Sequence, residues 1–149
     1  MKIQPFTGAI TEDLMDLLLT ADPDRAAVDA YTAEGLLLVA LDGDDTVGVA
    51  VVLLQATDSE LKNLAVRQSH QGRGIAKRLI AEAKRAARAN GASSMSVGTG
   101  NSSLGQLALY QKCGFRMHHI IPDFFLSYPE PIFENGMQCL DMVVLKTAL

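Results

Sequence analysis

The run Gln71-Gly72-Arg73-Gly74-Ile75-Ala76-Lys77 sets two glycines and two cations directly ahead of a helical pattern, and residues of those types so placed suit the binding of a diphosphate. The first N–H groups of a helix have no intrahelical acceptor and carry partial positive charge, so an anion that reaches them is held. Gly72 and Gly74 remove the side chains that would keep the anion away, and Arg73, Lys77 and Arg78 add mobile positive charge at the same end. His70 precedes the loop and is expected to face water rather than the phosphate. His118 and His119 are adjacent on a strand pattern, so at most one faces a site; no third ligand at metal spacing accompanies them, and no metal is expected.

The elements that must position this loop are legible on either side of it. Glu60 to Val66 reads as a strand, and from Arg73 the apolar residues Ile75, Leu79, Ile80, Ala83, Ala86 and Ala87 recur near the helical period, up to the C-cap Asn90-Gly91. Strand, glycine loop and helix are shared by several nucleotide motifs, and spacing separates them. A dinucleotide fingerprint needs a third glycine where this chain has Lys77, and the G-x-x-x-x-G-K-[ST] loop is absent.

Gln71 to Ala76 instead matches Q/R-x-x-G-x-G/A, and a second element follows in order: Asn101, then Ala108-Leu109-Tyr110-Gln111-Lys112-Cys113-Gly114-Phe115, similar to N...A-x-x-L-Y-x-x-x-G-F. On these two motifs the chain resembles the GNAT superfamily of acetyl-CoA-dependent N-acyltransferases. The resemblance covers at least residues 46 to 121. It implies a mixed α+β fold with a central, mostly antiparallel seven-stranded sheet flanked by about four helices. It also implies acetyl-CoA as cosubstrate. Gln71, Gly72, Arg73, Gly74, Ile75, Ala76 and Lys77 would then hold its diphosphate, and Leu64, Ala65 and Val66 its pantetheine arm and thioester. Asn101 would hydrogen-bond the same arm, or cap the loop after it.

The rest of the chain is consistent with one domain over residues 1–149. Its 149 residues are 48% hydrophobic and 20% charged, ordinary for one globular core, and the net charge of -4 argues against nucleic acid as the main partner. Cys113 and Cys139 show no metal or redox spacing and read as reduced thiols. With no apolar run of membrane-spanning length and no leader pattern, a cytoplasmic protein with no membrane partner is expected.

Thr11 caps a first helix to about Thr20, and Asp22-Pro23-Asp24 restarts a second through Ala30. Gly35 to Leu41 and Thr46 to Gln55 are strands joined by a turn at Asp42-Gly43-Asp44-Asp45, with Gly48 marking a bulge or a close approach. Ser93 to Thr99 is a strand, and Ser102 or Ser103 caps a helix from Leu104 to Cys113. Phe115 to Ile121 is a further strand, and Met137 to Lys146 is the last.

Between the last two strands, Phe124, Phe125, Tyr128 and Phe133 crowd into ten positions with Pro122, Pro129 and Pro131. This stretch either completes the core, or forms an acceptor-pocket wall or a dimer surface, as in the resembling family. Acids beside aromatic faces suit an amine cation, which makes Phe124, Phe125, Tyr128 and Glu134 the candidate substrate-binding residues.

What the resemblance implies chemically is acetyl transfer to a primary amine on a small molecule or peptide, by direct attack. An alkyl ammonium with a pKa near about 10.4 must lose its proton first. Glu60 stands where some family members have a catalytic glutamate, and Glu134 is the reserve base; Ser96 stands where others have an acid. Tyr110 matches the family tyrosine that protonates the leaving thiolate. The alternative is a non-catalytic acyl-CoA-binding module, and a homodimer is expected from the family's habit.

Overall fold

The computed structural model describes every residue from Met1 to Leu149. In chain order the elements are β1 (Lys2–Pro5), α1 (Glu12–Ala21), α2 (Arg25–Glu34), β2 (Leu36–Asp42), β3 (Asp45–Gln55), β4 (Asp58–Val66), α3 (Ile75–Ala89), β5 (Ser94–Gly100), α4 (Leu104–Lys112), β6 (Arg116–Ile121), β7 (Phe133–Glu134), β8 (Met137–Gln138) and β9 (Met142–Ala148). Seven strands form one sheet in the order β1-β2-β3-β4-β5-β9-β6, and β7 pairs with β8 as a separate two-residue hairpin. The sheet is antiparallel throughout except between β4 and β5.

Local chemistry starts the helices where it should. The Thr11 hydroxyl accepts from the Leu14 N–H and Glu12 and Asp13 occupy the first turn of α1; the Asp24 carboxylate accepts from the Ala27 N–H at the start of α2. Gly74, at φ +79°, turns the chain into α3, whose Ile75, Leu79, Ile80, Ala83 and Ala87 are buried in one stripe. Gly48 is a close approach: a Cβ there would meet the Leu79 side chain at 2.9 Å. Lacking one, β3 lies close against α3.

The two faces of the sheet carry separate cores. One packs α3 and the Tyr110–Phe115 turn onto Leu61, Leu64, Met95, Val97 and Leu145; the other packs α1 and α2 onto Val39, Val49, Val51 and Ala65. Leu18 is fully buried in the second, so its truncation to alanine costs about 2–5 kcal/mol.

Two expectations are corrected. The last strand is not continuous from Met137: it is divided into β8 and β9 by Cys139 to Asp141, because Cys139 N–H bonds back to Ile132 C=O and folds the preceding residues into the β7–β8 hairpin. Phe125 and Tyr128 are only half-buried, Phe124 and Phe133 are exposed, and all four stand outside both cores, so the aromatic loop does not complete them. No helix is long and apolar enough to cross a membrane.

A split sheet joins two compartments

β4 and β5 pair in parallel from Asp58 with Ser94 only as far as Leu61 with Val97, and then separate. β4 stays with β3, where an extra residue, Lys62, sits between Leu61 and Asn63 and bends the strand. Beyond it the β5-side edge of β4 is without a partner strand. Arg67 N–H bonds to Val47 C=O across β3; by the alternation of an antiparallel pair, the N–H groups of Leu64 and Val66 point the other way, into the gap.

The gap connects two cavities. The first, about 600 Å³, is lined by Leu64, Ala65 and Val66 of β4, by His70, Gln71, Gly72, Gly74, Ala76 and Lys77, and by the start of α4 from Ser103 to Gln106 with Leu109. The second, about 390 Å³, is lined by Asp22, Glu60, Lys62 and Asn63, by Gly98 to Gly100, by Tyr110, and by Phe124, Phe125, Tyr128, Glu134 and Cys139. Thr20, Ala21, Leu64, Ser103, Gln106 and Glu134 line both and mark where they meet.

The first compartment fits a nucleotide diphosphate with a long arm. Gly72 and Gly74 hold φ of +77° and +79°, a region that side-chain-bearing residues enter at a cost, and no protein atom lies within 4 Å of where a Cβ would stand on either. The loop therefore presents bare backbone beside the start of α3 and Lys77. The Gln71 amide donates to Val66 C=O and ties the loop to the strand end. Arg73 is exposed and does not line the cavity, and the Ile75 side chain is buried in the core, so Ile75 offers only its backbone.

His70 does not face water as expected. Its ring is held between the Asp42 carboxylate, 2.9 Å from Nε2, and the Ser69 hydroxyl, 2.8 Å from Nδ1. That hydrogen bond holds the Asp42 carboxyl below its ordinary range. His118 and His119 lie exposed on β6, where an extra residue in the strand puts their Nδ1 atoms 2.7 Å apart.

In the second compartment Tyr110 is buried and packs edge-on against Phe115 at 5.9 Å. Burial, with a smaller effect of Cys113, pushes its pKa up to about 12, so it stays protonated. Glu60 is 3.7 Å from the Lys62 ammonium, which also stands 5.7 Å above the Tyr31 ring. Phe124 meets Phe125 edge-to-face at 5.0 Å, Phe125 meets Tyr128 at a tilt at 5.5 Å, and Glu134 accepts from the Ser103 hydroxyl at 2.9 Å.

The Asn101 side chain is engaged within the chain. Its amide oxygen accepts from the N–H groups of Leu140 and Asp141, its amide nitrogen donates to Gln138 C=O, and it lines neither cavity. It clamps the segment between β8 and β9 because every polar atom of the side chain is already engaged there.

Asn63, Tyr31 and Asp22 also line or adjoin the second cavity. Asn63 donates to Leu18 C=O and to the Tyr31 hydroxyl, and Tyr31 in turn donates to Asp22. Asn63 stands directly before the apolar Leu64-Ala65-Val66 end of the strand and is itself buried.

Known proteins agree with this geometry. The pattern of the Acetyltransferase (GNAT) family matches residues 6–115. The chain is 48% identical over 147 residues to the N-acetyltransferase YvbK of Bacillus subtilis strain 168, itself described as uncharacterized, covering 97% of this chain and 95% of that one. A GNAT family acetyltransferase from Elizabethkingia anophelis, crystallised with acetyl-CoA bound, superposes with a TM-score of 0.93 at 40% identity over 99% of this chain and 97% of that one. A Bacillus subtilis acetyltransferase in complex with CoA superposes with a TM-score of 0.95 at 45% identity over 99% and 98%. With the divided sheet, the glycine loop and these matches together, the chain belongs to the GNAT family of acetyl-CoA-dependent N-acetyltransferases.

Proposed function

We propose that the enzyme acetylates a primary amine that enters the second compartment and attacks acetyl-CoA bound in the first, with no acetyl-enzyme intermediate. The observation that carries this reading is the meeting of the two cavities at Leu64 and Glu134, beside a chain end of β4 with outward-pointing N–H groups. Leu64 and Val66 N–H would hold the arm and polarise the thioester carbonyl. Gly72 to Lys77 would hold the diphosphate.

The proton account runs through two groups. A carboxylate takes a proton from the acceptor ammonium; the neutral nitrogen attacks the carbonyl carbon, the C–S bond breaks as Tyr110 donates its proton to the departing thiolate, and the second proton that the nitrogen sheds on becoming an amide returns to the Tyr110 phenolate. Glu60 is the base in this reading, since its carboxylate lines the acceptor cavity. A second assignment, Glu134, is favoured by its place on both cavities. Glu60→Gln and Glu134→Gln separate them: the base variant loses about 10²–10⁴ in kcat and the other does not.

Direct attack requires both substrates to be present together. Initial rates at varied acetyl-CoA and amine should give intersecting reciprocal plots, and an enzyme incubated with radiolabelled acetyl-CoA alone should retain no label after gel filtration. Parallel plots with retained label would contradict the reading.

We also propose a homodimer through β6, an edge strand exposed along all six residues with Met117, Ile120 and Ile121 bare. Light scattering of wild type against Ile120→Lys tests it: the wild type should run at twice the chain mass and the variant at once.

A further inference from the structure

Asp22 is a half-buried carboxylate on the acceptor cavity, and no cation of the chain pairs with it. Its orientation is nonetheless fixed. Oδ2 accepts from the Tyr31 hydroxyl at 3.1 Å, and Oδ1 accepts from the Asp24 N–H at 3.1 Å. Tyr31 can donate only in that direction, because its oxygen already receives one Asn63 amide hydrogen at 2.9 Å while the other goes to Leu18 C=O at 3.0 Å.

Holding that direction comes at a cost, since the Asn63 amide oxygen is buried with no partner. An apolar residue of the same size would fill the space without an orphaned acceptor. The arrangement Asn63 to Tyr31 to Asp22 therefore does something besides filling the core, and what it does is aim a carboxylate.

A carboxylate has about four lone-pair positions, and two here are taken. The residue lines a cavity that Phe125 and Tyr128 also line; Asp22 is close enough to Tyr128 to help raise the pKa of its phenol, after burial. Of the other acids on the cavity, Glu60 has Lys62 and Glu134 has Ser103. Asp22 lines the second compartment only, next in the chain to Ala21, which lines both.

We propose that Asp22 seats a second cationic group of the acceptor, so that the preferred substrates are amines bearing another ammonium or guanidinium, with the aromatic face of Tyr128 beside it. Tyr31 and Asn63 are its positioning residues. The proposal rests on the amine-acetylation reading above and adds the substrate class.

The test compares butylamine with the diamine of the same chain length, following thiol release from acetyl-CoA by wild type, Asp22→Asn, Asp22→Glu and Tyr31→Phe, each shown by circular dichroism to be folded at the assay temperature. Wild type should favour the diamine in kcat/KM. Asp22→Asn should raise KM for the diamine about 10–100-fold with kcat kept and affect butylamine far less; Asp22→Glu should restore part of the loss, and Tyr31→Phe should fall between.

Calorimetry of diamine binding to the enzyme–CoA complex gives a readout independent of turnover, and Asp22→Asn should weaken that binding by the same factor. Equal use of the two amines by wild type, or an equal loss on both in Asp22→Asn, overturns the role of Asp22 and leaves the transferase reading standing. Failure of every amine to turn over or to bind overturns both.

Discussion

Leu61 of β4 and Val97 of β5 are the last residues to pair across the only parallel junction of the sheet. Everything the enzyme does follows from what the strands do next. Past that pair, β4 turns its N–H groups into open space, β5 leads to Gly100 and the start of α4, and the two cavities meet between them. The apolar strands on either side keep the gap from closing, since each is pinned by its own antiparallel neighbour, β3 or β9.

Gly100 ends β5 under the Cys139 sulfur, where a Cβ would stand 2.3 Å from Sγ. Gly100→Ala must therefore displace the β8–β9 connection that walls the acceptor cavity. A stability loss of about 1–3 kcal/mol is expected by urea unfolding, with a raised KM for the amine and an unchanged Kd for acetyl-CoA.

Asn101→Ala leaves the Leu140 and Asp141 N–H groups without their acceptor. The expected cost is about 1–3 kcal/mol in thermal or urea unfolding. Acetyl-CoA affinity should hold, because the side chain lines neither cavity.

Gly74 has room for a side chain but the wrong backbone angle for one. Gly74→Ala should cost about 1–2 kcal/mol from the left-handed φ alone. It should also weaken acetyl-CoA, read by calorimetry, since the added methyl stands in the anion's approach. Loss of stability without loss of affinity would remove the loop from the cofactor site.

Tyr110 predicts a pH effect with a definite sign. Its pKa is raised in the folded chain to about 12, so the burial contributes stability that is whole below the ordinary tyrosine value near about 10 and is lost as pH rises through 12. Melting temperatures from pH 9 to 12 should fall less steeply for Tyr110→Phe than for wild type. The largest difference corresponds to about 2–3 kcal/mol.

How much of this the sequence carried depends on how far apart the partners lie. The glycine loop, α3 and the Leu-Tyr turn of α4 are local patterns, each complete within twenty residues, and they read correctly because their period and punctuation are physical signals in themselves. The clamp at Asn101 joins residues 39 and 40 positions away, and the Asn63–Tyr31 bond spans 32. Nothing local marks such a bond beyond a polar letter beside an apolar run. His70 was misread for the same reason: its partner Asp42 sits 28 residues earlier, at the end of β2. No glycine or proline divides Met137 to Lys146 in the sequence; the backbone bond from Cys139 to Ile132 does so in the fold.

The most direct test of the central claim measures kcat with the best amine, and Kd for acetyl-CoA, on Tyr110→Phe and wild type. If Tyr110 protonates the thiolate, kcat falls about 10²–10⁴-fold while Kd stays within error, because the phenol lines the acceptor cavity and not the nucleotide cavity. An unchanged kcat, or a fall matched by an equal loosening of acetyl-CoA, would contradict the assignment and leave Tyr110 as packing for α4.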